Sequence, residues 1–293
     1  MSRSCPHVAG LSSLVSRYDI ILSDVWGVVH NGVVHTPAAA DALQRFRAAG
    51  GTVLLITNAP RPRSSVVKLL DRFGLPHDSY DDVVSSGDVT VEMIMARGAA
   101  PLFHYGPERD LPLFSAAAER IGARPPLVDP EAADYVVCSG PFDDLADPDN
   151  ELPLLRRLRA RNLPFICANP DIVVHAGEEL YWCAGALAER YEKMGGAVIM
   201  AGKPYPVIYE AALARAQALR GGDLDRVRVL AIGDGMFTDM KGAAGEQLDA
   251  LFISSGVHRD ALHARGAMDE AAFAQLRQAA NAAPIGWMRD LRW

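Results

Sequence analysis

The tightest constraint on this chain is a set of short apolar runs that stop abruptly on polar residues. Asp19-Ile20-Ile21-Leu22-Ser23-Asp24-Val25-Trp26-Gly27 reads as a buried strand that breaks into a turn at Gly27. Thr52-Val53-Leu54-Leu55-Ile56-Thr57-Asn58 is a second such strand, and Val227–Ile232 a third, delivering Gly233-Asp234-Gly235. Apolar runs without polar alternation suit strands covered on both faces, as in a parallel sheet. Helices fall between them. Ala38–Ala49 is introduced by Thr36 as N-cap and Pro37 at the first helical position, and closed by Gly50-Gly51. Arg63–Phe73 stops at Gly74, and Pro206–Leu219 at Gly221-Gly222. Strand, helix and strand in this order predict right-handed parallel crossovers and an α/β fold.

Further elements follow the same grammar. Ala197–Ala201 is a strand leading into Gly202-Lys203-Pro204, Thr238–Gly245 starts a helix, and Ala250–Ser254 is a last strand. Ala261–Ala283 reads as an Ala-rich surface helix. The middle of the chain differs: residues 98–197 carry strands at Ala133–Cys138 and Phe165–Ala168, with Pro141–Pro153 as a loop.

Composition limits what such a chain can do. Of 293 residues, 49% are hydrophobic and 22% charged, which excludes a disordered chain. A formal charge of −7 argues against nucleic acid as a partner, since phosphate-backbone tracking needs a basic face. Anionic small substrates stay open, because a bound divalent cation inverts the local field. The four cysteines (Cys5, Cys138, Cys167, Cys183) form no C-x-x-C pair and read as reduced core thiols. No secretory leader is recognisable at the N-terminus, and no window reaches the ~20 apolar residues that cross a bilayer. The expected location is the cytoplasm, with no membrane partner.

In open parallel sheets the ligand site lies at the carboxyl ends of the strands. Four predicted strands end in reactive or anion-binding groups: Asp24, Thr57-Asn58, Lys203 and Asp234. Each alone has a bland reading as a turn, a cap or a solvated lysine. Their order is what carries meaning: Ser23-Asp24-Val25-Trp26-Gly27, Ile56-Thr57-Asn58, Gly202-Lys203-Pro204-Tyr205-Pro206, and Ile232-Gly233-Asp234-Gly235-Met236-Phe237-Thr238-Asp239. This arrangement resembles the haloacid dehalogenase superfamily, and the large insert resembles its class IIA, NagD-like branch of phosphatases. Ala168-Asn169-Pro170-Asp171 is similar to a segment of the class IIA cap. The resemblance implies a Rossmann-like parallel-sheet core built from 1–97 and 198–293, with 98–197 inserted as an α/β cap.

It also implies chemistry. Asp24 would attack phosphorus and form an aspartyl-phosphate that water later hydrolyses, with Mg²⁺ as cofactor. Asp24, the backbone carbonyl of Trp26 and Asp234 would bind the metal. Thr57 and Asn58 would hold the transferring phosphoryl group and Lys203 would balance its charge. Asp239 would orient Lys203 or metal-bound water. Such a division suits the physics, because a carboxylate attacks an anionic phosphate only where that charge is neutralised. The substrate would be a small phosphorylated metabolite, contacted in the cap by Asn169 and Asp171, with His175, Glu178 and Glu179 as further candidates. Caps of this kind also imply a possible homodimer.

One position departs from the family pattern. Its phosphatases carry Asp-x-Asp, the second Asp cycling the leaving-group proton, and here that second residue is Trp26. Indole N–H donates a hydrogen bond but cannot cycle a proton near neutral pH. Three readings are open: a substrate whose leaving group needs little protonation, a proton supplied by another residue such as His30, or a different reaction. Dehalogenases of the superfamily have an aromatic residue at this position and expel halide. A degenerate member that only binds a phosphorylated ligand is the non-enzymatic alternative. His30 and His35 lie in Gly27–His35, a segment similar to the β-flap beside the active site.

Overall fold

The computed structural model describes residues 5–176, 179–264 and 266–293. Among them the strands are, in chain order, β1 (Ile20–Asp24), β2 (Thr52–Thr57), β3 (Asp82–Ser85), β4 (Leu102–Tyr105), β5 (Tyr135–Cys138) and β6 (Phe165–Cys167). They continue with β7 (Val173–Ala176), β8 (Glu179–Trp182), β9 (Val198–Met200), β10 (Val229–Gly233), β11 (Asp249–Ile253) and β12 (Gly286–Met288). The chain divides into two compact units. One holds the described residues of 1–57, 67–84 and 209–293, the other 58–66 and 85–208.

The first unit is organised by a sheet in the order β12-β11-β10-β1-β2-β3. β1 lies between β10 and β2, parallel to both, and every residue of β1, β2 and β10 is buried. Burial on both faces is why these strands read as uninterrupted apolar runs. Pro37 opens the helix Pro37–Ala48 as expected; Thr36 has the extended N-cap backbone but makes no side-chain capping bond. That helix buries Ala39, Ala42, Leu43 and Phe46, the three-to-four spacing of one apolar face. β12 was not legible in the sequence. It is three residues long, and its outer edge is covered by Pro6 and Val8, which exchange backbone bonds with Trp287.

The second unit has its own all-parallel sheet, β4-β5-β6-β9, and an antiparallel β7-β8 hairpin. Its faces sort by alternation. Val136, Cys138, Phe165 and Cys167 pack with Leu155, Leu158, Leu187 and Tyr191 on one side. Tyr135, Val137 and Ile166 pack with Val91, Ile94, Leu113 and Phe114 on the other. The strand that precedes Lys203, read from sequence beside the strands of the C-terminal third, pairs with β6 here.

Two helix expectations change shape. Thr238–Gly245 becomes a π-type turn over Met236–Met240 followed by a helix over Lys241–Gly245. The Ala-rich segment splits into helices Arg259–His263 and Glu270–Ala280, the second capped by Asp269, whose carboxylate accepts from Ala271 and Ala272 N–H. The region between Pro141 and Pro153 is a loop ending in a 3-10 turn, Pro148–Glu151. Among the described residues no helix is long and apolar enough to cross a membrane.

Candidate active site

In the first unit, register places the ends of three strands side by side. Asp24 stands opposite Ile56 of β2, and Ser23 opposite Ile232 of β10, so Asp24, Thr57 and Asp234 emerge at one edge. The π-type turn then folds Asp239 back towards the same edge. Ligand oxygens of Asp24, Asp234 and Asp239 all lie within 4.8 Å of one another, and the residues are 7%, 6% and 3% exposed. Thr57 is buried too, at 6%.

Each carboxylate is aimed by backbone donors. Val25 N–H donates to Asp24 Oδ1 at 2.7 Å, Val257 N–H to Asp234 Oδ2 at 2.6 Å, and Gly235 N–H to Asp239 Oδ2 at 3.0 Å. The Thr238 hydroxyl adds a longer contact to Asp239 Oδ2, 3.4 Å. Glycines let the loops come this close. A Cβ at Gly27, where φ is +80°, would stand 2.1 Å from Asp234 Oδ2, and one at Gly256 1.8 Å from the same atom. Gly256 and Val257 were missed in the sequence; the signal available was a Ser-Ser-Gly turn at the end of an apolar strand.

Three ionised carboxylates at this spacing repel by roughly 3 kcal/mol per pair at an effective dielectric of about 20. A hard cation removes that repulsion, and an all-oxygen donor set with carboxylates is the set Mg²⁺ takes. The cluster fits such an ion on its donor chemistry, its burial and its spacing.

The flap segment is a tight turn rather than paired strands. Gly27 N–H donates to His30 O at 2.8 Å, and isolated bridges join Trp26 to His30 and His30 to His35. His30 is 2% exposed and its ring lies between those of Trp26 (5.0 Å) and Phe73 (4.8 Å). Its Nδ1 accepts from Gly32 N–H at 2.9 Å, which puts the ring proton on Nε2. Burial pushes its pKa down to about 4, so the ring is neutral near pH 7. His35 Nδ1 is 2.9 Å from Phe73 O and must donate to it. His258, unremarked in the sequence, accepts Met236 N–H on Nε2 at 3.1 Å. Burial lowers its pKa, against the pull of the Asp239 charge.

The second unit gathers a separate group of the expected residues. Asn58 is 3% exposed, and its side chain clamps the backbone of Lys203: Oδ1 accepts Lys203 N–H at 2.7 Å and Nδ2 donates to Lys203 O at 3.1 Å. Nδ2 also donates to Asp171 Oδ1 at 2.8 Å. Lys203 itself is 2% exposed. Asn169 Oδ1 accepts Asp171 N–H at 3.1 Å, the turn its Asn-Pro-Asp sequence suggested. Glu179 is exposed and accepts from the Tyr181 hydroxyl at 2.7 Å. Glu178 and the side chain of His175 lie outside the described residues. Cys167 and Cys138 are fully buried in the core of this unit. Burial pushes the Cys167 thiol up to about 12, the opposite of an activated nucleophile.

Comparison with known proteins finds relatives along nearly the whole chain. Residues 21–117 match a family described as haloacid dehalogenase-like hydrolase, and residues 200–279 one described as HAD-hydrolase-like. A hydrolase of the haloacid dehalogenase-like family from Brucella suis 1330 is 47% identical, with 98% of this chain and 99% of that chain covered and a TM-score of 0.85. The 4-nitrophenylphosphatase of Thermotoga maritima shares 20% identity over 94% of this chain and 95% of its own, with a TM-score of 0.69. The glycerol phosphate phosphatase of Mycobacterium tuberculosis, solved in complex with magnesium, shares 24% over 86% and 74%, with a TM-score of 0.64. Among curated proteins nothing matches.

Proposed function

The chain belongs to the haloacid dehalogenase-like hydrolases, and on that premise we propose that it is a Mg²⁺-dependent phosphatase working through Asp24. Its substrate in this reading is a small phosphorylated metabolite in the cytoplasm. The observation that carries the proposal is the buried trio Asp24, Asp234 and Asp239, with ligand atoms within 4.8 Å. Halide expulsion has no use for such an acidic pocket, whereas phosphoryl transfer to a carboxylate requires a cation beside it. A binding protein that had lost catalysis would need neither the aimed Asp24 nor the full set of partners around it. The Thermotoga and Mycobacterium proteins, both phosphatases, support the same choice.

Asp24, the Trp26 carbonyl and Asp234 would hold the ion, which when bound neutralises the phosphate and polarises phosphorus. Val25 N–H fixes Asp24 Oδ1, which leaves the rotamer of the nucleophile settled before substrate arrives. Thr57 and Asn58 take the phosphoryl oxygens in this proposal, and Lys203 offsets their charge. Asp239, held by Gly235 N–H, keeps the loop after Asp234 in place.

Phosphate release from a panel of phosphorylated metabolites, with and without Mg²⁺, tests the reading, with Asp24→Asn as the blank. Release that needs the metal and disappears in Asp24→Asn is the expected result. Metal-independent release, or release that survives Asp24→Asn, would remove it, and halide release from haloacids would replace it with dehalogenase chemistry.

A further inference from the structure

We propose that the Asn58 side chain is a positioning residue: it sets the main chain of Lys203 for the phosphoryl site and is not itself a ligand of the phosphoryl group. Asp171 acts on the reaction through it. The inference rests on the phosphatase reading and deepens it.

A primary amide offers two N–H protons and one acceptor oxygen. At Asn58 all three are taken, and by residues of the second unit. Oδ1 accepts Lys203 N–H at 2.7 Å, while Nδ2 donates to Lys203 O at 3.1 Å and to Asp171 Oδ1 at 2.8 Å. An anionic phosphoryl oxygen needs a donor, and this side chain has none left to give. The main-chain N–H is then the group of Asn58 that serves the phosphoryl group.

Two bonds to one residue orient as well as attract. With N–H and C=O of Lys203 both pinned to one planar amide, the peptides on either side of it are fixed, and so is the direction in which Cβ leaves the backbone. Lysine carries its charge on a flexible four-carbon stem, so a fixed root narrows where the ammonium can stand. Asn58 and Lys203 are 3% and 2% exposed, which keeps water from competing for these bonds.

The neighbouring backbone is shaped to admit the amide. A Cβ at Gly202 would stand 2.4 Å from Asn58 Oδ1, 2.8 Å from Pro170 Cδ and 2.9 Å from Ser86 Oγ. Gly202 has no left-handed φ, so this glycine answers to space rather than to conformation. Asp171 reaches the amide from a fastened turn. Its N–H donates to Asn169 Oδ1 at 3.1 Å, and its C=O accepts Gly185 N–H at 3.1 Å. A Cβ at Gly185 would stand 2.5 Å from that carbonyl oxygen. A bond to a carboxylate is roughly twice as strong as one between neutral groups. Asp171 thus anchors the amide that anchors Lys203.

The test is a double-mutant cycle on kcat/KM of the Mg²⁺-loaded protein with nitrophenyl phosphate, using wild type, Asn58→Ala, Lys203→Ala and the pair. A displacement of about 1 Å at a reacting group costs about 10² in rate, and Asn58→Ala alone is expected to lose about that factor. In the Lys203→Ala protein no ammonium remains to be placed, and the same change should cost no more than about twofold, the scatter of independent effects. Equal losses in both backgrounds would mean that the amide binds phosphate or only holds the fold. No loss in wild type would mean that Lys203 is placed without it. Either result overturns the inference. Melting curves of the four proteins report the folding cost, which does not depend on the Lys203 amine. Should Lys203→Ala be too slow to assay, calorimetric binding of inorganic phosphate carries the same cycle. Asp171→Asn keeps an acceptor for Asn58 Nδ2 and is the gentler variant should Asn58→Ala fold poorly. Its expected loss is about fivefold, the difference between a charged and a neutral acceptor, and it should vanish in the Lys203→Ala background. A loss that persists there would make Asp171 a substrate contact and overturn its assigned role. No phosphate release by the wild-type protein from any substrate is instead the failure of the phosphatase reading, and this inference falls with it.

Discussion

At Gly256 a Cβ would stand 1.8 Å from Asp234 Oδ2 and 2.3 Å from its Cβ, so any larger residue there displaces the carboxylate from its place. Gly256→Ala is therefore expected to weaken apparent Mg²⁺ affinity by about 10–100-fold, the usual cost of disturbing what orients a ligand. The accompanying stability loss should stay near 1–3 kcal/mol, as for overpacking. A metal titration of activity beside a melting curve separates the two; unchanged Mg²⁺ dependence would show that the loop after β11 does not aim Asp234. His30 makes a different prediction. Its folded pKa of about 4 lies below the ordinary 6.5, so the unfolded chain binds the extra proton between those values. Stability consequently falls as pH drops through that window and levels off below it. With His30 2% exposed, the full effect is about 3 kcal/mol. His30→Asn keeps an acceptor for Gly32 N–H and should lose this part of the acid sensitivity, read from urea midpoints at pH 7 and pH 4.5. Equal midpoint shifts in both proteins would mean that the ring is not buried neutral. Neither prediction was available from sequence: His30 was visible as a residue near Asp24, but its burial depends on Phe73, forty-three positions away.

Elements were legible where burial was two-sided and unreadable where it was short or borrowed. β1, β2 and β10 announced themselves as apolar runs ending in Asp24, Thr57 and Asp234, and those ends are where the carboxylates gather. β9 has the same signature, yet a run of three half-buried residues cannot say which sheet it joins; pairing with β6 decided that. β3 and β4 are short and broken by polar residues (Asp82 and Ser85 in one, His104 in the other), and the π-type turn over Met236–Met240 has no periodicity to read. The fold class and the order of the chemical groups thus survived from sequence, while the backbone donors that aim them did not. The helix Ser86–Met95 shows a further device of this kind. Ser85 accepts from Asp88 N–H at 3.0 Å while Asp88 accepts from Ser85 N–H at 3.1 Å, a reciprocal capping box. The Ser85 hydroxyl also reaches Arg61 O at 2.7 Å, fastening the helix start to the segment that follows Asn58. Ser85→Ala removes both bonds, so a loss of about 1–2 kcal/mol is expected in denaturant unfolding. A change within about 0.5 kcal/mol, ordinary for a surface substitution, would show that the cap contributes little.

For the molecule as a whole, the proposed metal centre predicts that stability depends on divalent cation. Three buried carboxylates held within 4.8 Å raise the free energy of the folded chain through mutual repulsion, and the unfolded chain separates them. On the proposed reading Mg²⁺ would bind only the folded state, where the ligands converge, and would stabilise it by mass action: about 2.7 kcal/mol at a concentration one hundred times Kd. The net charge of −7 adds a weaker, non-specific response to salt, which screening removes at moderate ionic strength. The two are separable. At fixed high ionic strength, Mg²⁺ should raise the melting temperature of the wild-type protein along a saturating curve, and chelator should reverse it. Asp234→Asn deletes one ligand charge while keeping an acceptor for Val257 N–H, and its Mg²⁺ response should shrink or move to much higher concentration. The difference between the two proteins should therefore widen with added Mg²⁺ and narrow in chelator. Identical Mg²⁺ responses in both would place the stabilising ion elsewhere on the acidic surface, and the trio would then have to be explained as something other than a metal centre.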